Sequence, residues 1–159
     1  MTEEENFIVD LEGYLIIKNV LTTDEVKELN RLIDESDRIG PPSTWGQPFQ
    51  NLIDHSNIMP YLLEMIGPYV RIDHDYAIFM SGKEKRGGLH GGEDGGRPGG
   101  HEGDHWYKYR DGVIRNGLCV MTFNLASVRP GDGGFACIPG SHKSNFTTSL
   151  PKEARSFER

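Results

Sequence analysis

Apolar and polar positions along the chain change period several times, and each change marks an element. Tyr14–Val20 (YLIIKNV) is rich in branched and aromatic residues and reads as a strand led in by Gly13. Val26, Leu29, Leu32 and Ile33 then recur at helical spacing with charges opposite them. Thr22 and Glu25 form a capping box ahead of that stripe, with Leu21 and Val26 placed as the hydrophobic staple across it. Gly40-Pro41-Pro42 closes the segment, and 43–57 is irregular, with Trp45 and Phe49 expected to anchor it. A short helix is predicted over 60–66, with proline near its start and Gly67 after its end.

Strict alternation returns in Val70–Met80 (VRIDHDYAIFM). It places Val70, Ile72, His74, Tyr76, Ile78 and Met80 on one face, and Asp73 and Asp75 on a wet one. Asp111-Gly112 between two strand-like runs predicts a tight hairpin, because both residues accept positive φ. Leu118–Val128 is the most apolar stretch and reads as a strand, with Thr122 and Asn124 on the same face as Val120. Phe135–Ile138 reads as another short strand, followed by a loop from Ser141. Helices first and then mostly antiparallel strands predict an α+β, mainly β fold of the sandwich or jelly-roll kind. A length of 159 residues without repeat or linker fits a single domain over 1–159.

Composition narrows the partners. A net charge of −7 argues against nucleic-acid or acidic-membrane binding, which clustered Lys and Arg drive. No apolar run reaches spanning length. The acidic opening MTEEENF is unlike a secretory leader, and two cysteines, Cys119 and Cys137, sit in apolar runs without zinc-like spacing. A reducing, cytoplasmic setting follows as the expectation. The oligomeric state is not legible.

Candidate chemistry concentrates in RGGLHGGEDGGRPGGHEGDHW, where His90, His101 and His105 stand among Glu93, Asp94, Glu102 and Asp104. Ten of the twenty glycines lie between Gly87 and Gly112. Histidine and carboxylate on a glycine-rich loop supply the oxygen and nitrogen donors of a metal site. Taken by itself, the 101–105 cluster reads as a solvated polar loop.

The segment PGDGGFACIPGSHKSNF (130–146) resembles the phytanoyl-CoA dioxygenase family of Fe(II)- and 2-oxoglutarate-dependent oxygenases. GYLIIKNVLTTDEVKELNRLID resembles that family's opening strand and capped helix, and IDHDYAIFM and RGGLHGG are similar to a bacterial branch of it. The resemblance implies a double-stranded β-helix (a cupin-like jelly roll) with flanking N-terminal helices. It also implies hydroxylation of a small organic or lipid-like substrate, with 2-oxoglutarate converted to succinate and CO₂. Two histidines and one carboxylate hold the iron in such enzymes.

Carried onto this chain, the resemblance makes His90 the first iron ligand and the PGSH turn architecture, so that His142 is not a ligand. Where the family's His-x-Asp ends in Asp, this chain has Gly92. Glu93 or Asp94 then supplies the carboxylate through a folded-back glycine loop. A halogenase-like use of Gly92 and a non-catalytic jelly-roll domain are the alternatives. Thr122 and Asn124 are the implied co-substrate-pocket residues. After His142 the sequence holds no histidine, and its only arginines are Arg155 and Arg159. The chain is therefore expected to be an N-terminal, inactive portion of such an enzyme.

Overall fold

A computed structural model describes residues 1–79, 106–129, 132 and 134–143. Helix α1 (Glu3–Glu12) starts at a capping box. The Thr2 hydroxyl accepts from the Glu5 amide at 3.1 Å, and the Glu5 carboxylate accepts from the Thr2 amide at 2.7 Å. Gly13 closes it at φ 80°, a left-handed position where glycine carries no steric cost. Helix α2 (Thr23–Glu35) repeats the same start with Thr22 and Glu25, as its sequence predicts. Leu29 is its fully buried residue, with Val26, Leu32 and Ile33 half-buried beside it.

The stretch expected to be irregular contains order of its own. Pro42–Thr44 is a 3₁₀ turn, and α3 (Gln47–Gln50) is a single helical turn that buries Phe49. Trp45 meets Phe49 edge-on at 5.4 Å, and its ring N–H donates to the Ile39 carbonyl at 2.9 Å, so both aromatics anchor. Helix α4 (Met59–Met65) follows, with Pro60 in its first turn and Leu62 buried. Strands β1 (Tyr107–Arg110) and β2 (Val113–Asn116) pair antiparallel through Asp111 (φ 55°) and Gly112 (φ 79°). Two consecutive positive φ values make this the hairpin turn that matches strand twist, as the Asp-Gly pair predicts.

The described residues form two compact units. One holds Met1–Leu15, the hairpin through Val120, and the chain from Val128; the other holds Ile16–Phe79 and Met121–Ser127. In the first, Val9 and Ile114 are buried; in the second, Leu29, Phe49, Ile58 and Leu62.

Several expectations are corrected. Among the described residues the only ladder is β1–β2, so 14–20, 70–79, 118–128 and 135–138 are not assigned as strands. Alternation marks a chain suited to a sheet face, but a strand exists only where a second chain supplies ladder hydrogen bonds. Ile72, Tyr76 and Ile78 are accordingly 50%, 62% and 66% exposed. The N-terminal acidic stretch, for which no element is predicted, is a helix. Asp75 is half-buried rather than wet: its carboxylate accepts the Ser43 amide at 2.7 Å, at the start of the 3₁₀ turn. Ser141–Lys143 is a 3₁₀ turn rather than an open loop.

Candidate functional site

Within the first unit, polar side chains converge at the C-terminal end of α1. A helix leaves its last four carbonyls without internal donors. Here three of them are met. Gly13 N donates to Val9 at 2.9 Å, Gly140 N donates to Glu12 at 2.8 Å, and His142 Nε2 donates to Asp10 at 3.1 Å. Because a carbonyl only accepts, Nε2 carries the proton and Nδ1 does not. Nδ1 is buried with no hydrogen-bond partner among the described residues, and so is Oε2 of Glu12.

The Asp10 carboxylate gathers two further groups. Tyr107 of β1 donates its hydroxyl to Oδ1, and Lys143 Nζ donates to Oδ2 at 3.1 Å. These hydrogen bonds, Tyr107 first, hold the Asp10 carboxyl below its usual range. Burial, and then the adjacent carboxylate, push the Tyr107 phenol upward. Burial pulls His142 below its ordinary value, because a second ring proton would sit at the unpartnered Nδ1. The Tyr107 ring meets His142 edge-on at 4.6 Å. No basic residue lies in the last turn of α1 itself, and Lys143 places an ammonium near that end, where the helix dipole favours a cation. His142 is therefore committed to α1. Its surroundings are those of a structural clamp, with Nε2 spent on Asp10 and Nδ1 buried.

The second unit contains two histidine–carboxylate pairs. His74 Nδ1 lies 2.8 Å from Asp73 Oδ2 and its ring stacks on Tyr76 at 5.6 Å, all on an exposed stretch. His55 Nε2 lies 3.8 Å from Glu25 Oε1, its Nδ1 accepts from the Asn57 amide at 3.2 Å, and its ring edge meets Phe123. Each has a single carboxylate partner. Among the described residues, no three His, Cys, Asp or Glu side chains stand together as a metal site.

The sequence-derived ligands His90, Glu93 and Asp94, with Gly92, lie outside the described residues, as do His101 and His105. Thr122 and Asn124 are described and exposed, while Phe123 and Leu125, which alternate with them, are half-buried. Asn30 of α2 reaches this stretch: its Nδ2 donates to the carbonyls of Val26 at 2.9 Å and Leu125 at 2.8 Å. The period of two is thus real, and Thr122 and Asn124 share its outward side. Sequence reasoning misses the role of Asp10. The T-x-x-E pattern at Thr2–Glu5, with Gly13 after it, is the signal that announces α1 and brings Asp10 to its last turn.

Cys119 and Cys137 are free and half-buried, and burial pushes the Cys119 thiol upward, away from thiolate reactivity. No described helix is long and apolar enough to cross a membrane. Compared with models of known families, with curated proteins and with solved structures, the chain matches none.

Proposed function

We propose that this chain carries part of the iron site of a non-haem Fe(II)- and 2-oxoglutarate-dependent oxygenase built on a jelly roll. The observation that supports this reading most is the fate of PGSHK (139–143). The resemblance makes that turn architecture, and here Gly140, His142 and Lys143 are all spent on α1. His90 is then the proposed iron ligand, with Glu93 or Asp94 as the carboxylate. Iron with 2-oxoglutarate would supply oxidative decarboxylation to succinate and CO₂, coupled to hydroxylation of a small organic or lipid-like molecule.

The chain's own residues would do the positioning. Thr122 and Asn124, on the outward side of their stretch, are proposed to donate or accept hydrogen bonds to the co-substrate. The uncovered apolar alternation of Ile72, Tyr76 and Ile78 suits a sheet face of such a fold.

The test uses the protein expressed from its complete open reading frame, under anaerobic conditions with Fe(II) and 2-oxoglutarate. A visible charge-transfer band and substrate-stimulated succinate are expected, and His90→Ala abolishes iron retention. If no band and no succinate appear with any substrate, the oxygenase reading fails. Unchanged iron in the His90 variant removes that ligand.

A further inference from the structure

The β1–β2 hairpin has two unlike faces. One holds Tyr107, bound to Asp10, and Ile114, buried at 8% exposure. The other holds Trp106, Lys108 and Arg110 along one strand and Val113 and Arg115 along the next, all exposed. Lys108 stands directly opposite Arg115 in the ladder. Like charges opposite one another destabilise a strand pair, so this placement works against the hairpin that carries it. The five residues, with Asp111 at the turn, line an open groove of about 330 Å³.

We infer that the outer face of this hairpin binds a small phosphate-bearing anion, such as a phosphate ester or diphosphate, through Lys108, Arg110 and Arg115. The local charge is dense: three cations against one carboxylate, Asp111, which pairs with Arg110 at 3.4 Å. Arg115 spends one N–H on the Ile114 carbonyl at 2.8 Å; the remaining guanidinium donors of Arg110 and Arg115 and the Lys108 ammonium come from both strands, and a phosphate has enough acceptor oxygens to meet several at once. Lys108 Nζ lies 4.4 Å from the centroid of the Trp106 ring, which holds the ammonium over the face rather than leaving it to sweep through solvent.

The net charge of −7 then selects the size of the ligand. A long polyanion laid on this face would run into the repulsive field of the rest of the chain, whereas a compact multivalent anion stays within the basic patch. This site is independent of the iron reading and stands if that reading falls.

Calorimetric titration of the chain with inorganic pyrophosphate at low ionic strength tests it. Saturable binding that weakens with added salt is expected. The double variant Lys108→Gln/Arg115→Gln should lose ~10-fold or more in affinity, while Lys27→Gln on α2 leaves it unchanged. The unfolding midpoint of the double variant should stay close to wild type, since removal of the like-charge pair offsets loss of the Arg115 bond to the Ile114 carbonyl and of the Lys108–Trp106 contact; this separates lost binding from lost folding. Absent pyrophosphate binding, equal affinity in the double variant, or a clear preference for citrate or for a single-stranded RNA oligonucleotide would each overturn the assignment.

Discussion

Gly13 and His142 occupy adjoining space: a Cβ on Gly13 would stand 2.7 Å from Cγ of the His142 ring and closer still to Nδ1. The glycine that ends α1 is thus also the floor on which the imidazole rests. One position satisfies both a left-handed turn and a close approach.

Gly13→Ala should therefore destabilise the fold by about 2–4 kcal/mol, combining backbone strain with displacement of the ring. Gly112→Ala is the matched comparison, since Gly112 has nearly the same φ with nothing within 4 Å of its Cβ. It should cost only about 1–2 kcal/mol. Denaturant midpoints of the two variants give the difference, and equal losses would show that the ring contact is not costly.

His142 makes stability depend on pH in a definite direction. Its folded value lies below its ordinary 6.5, so the folded state takes up its proton less readily than the unfolded chain. The contribution is fully present above about 6.5 and is lost as pH falls from there through the folded value. Asp10 acts in the same sense at lower pH, its contribution fading from about 3.8 downward. Unfolding free energies measured from neutral to mildly acidic pH should fall in wild type and fall less in His142→Gln. Parallel slopes would remove His142 as the source.

Tyr107→Phe leaves the ring contact with His142 and removes the hydroxyl from Asp10. A loss of about 1–2 kcal/mol is expected, that of a hydrogen bond to a charged acceptor at a partly buried site. The Asp10 carboxyl should rise toward its ordinary range in this variant, as followed by NMR titration. An unmoved Asp10 titration would contradict the leading part given to Tyr107.

Asn30→Asp tests the link between α2 and the stretch 121–127. The substitution keeps size and removes both donated hydrogen bonds, turning a carboxylate toward two carbonyl oxygens. A loss of about 1–3 kcal/mol is expected, with faster amide exchange in 121–127. Unchanged exchange there would mean that the Leu125 bond does not hold the segment.

What the sequence announces is what a few neighbouring residues decide. Thr22 with Glu25 starts α2, Asp111-Gly112 turns the hairpin, and Pro60 with Gly67 brackets α4. Each is a bargain struck within a handful of positions. The start of α1 is written just as plainly at Thr2 and Glu5, but its apolar stripe is weak: Phe7 and Leu11 are 66% and 53% exposed, and only Val9 is buried. Charge dominates that stretch and conceals the helix.

Partners far along the chain are the other blind spot. Alternation assigns Asp75 a face but not Ser43, and it assigns 70–79 a period but no ladder. Of the candidate site, the period puts Thr122 and Asn124 on one face without saying whether that face meets water or a pocket, and both are exposed, whereas His90, Glu93 and Asp94 rest on resemblance. The polar cluster around Asp10 is beyond reach because its other members lie 97 to 133 residues from Asp10.

That separation has a consequence for how the chain is made. α1 leaves the ribosome well before Gly140 and His142, whose donors complete its C-terminal end. Until those residues emerge, the carbonyls at that end of a nascent α1 are turned to water. Slowing elongation would lengthen that interval, whereas α2 and its attached α3 turn have their local contacts within a few tens of residues.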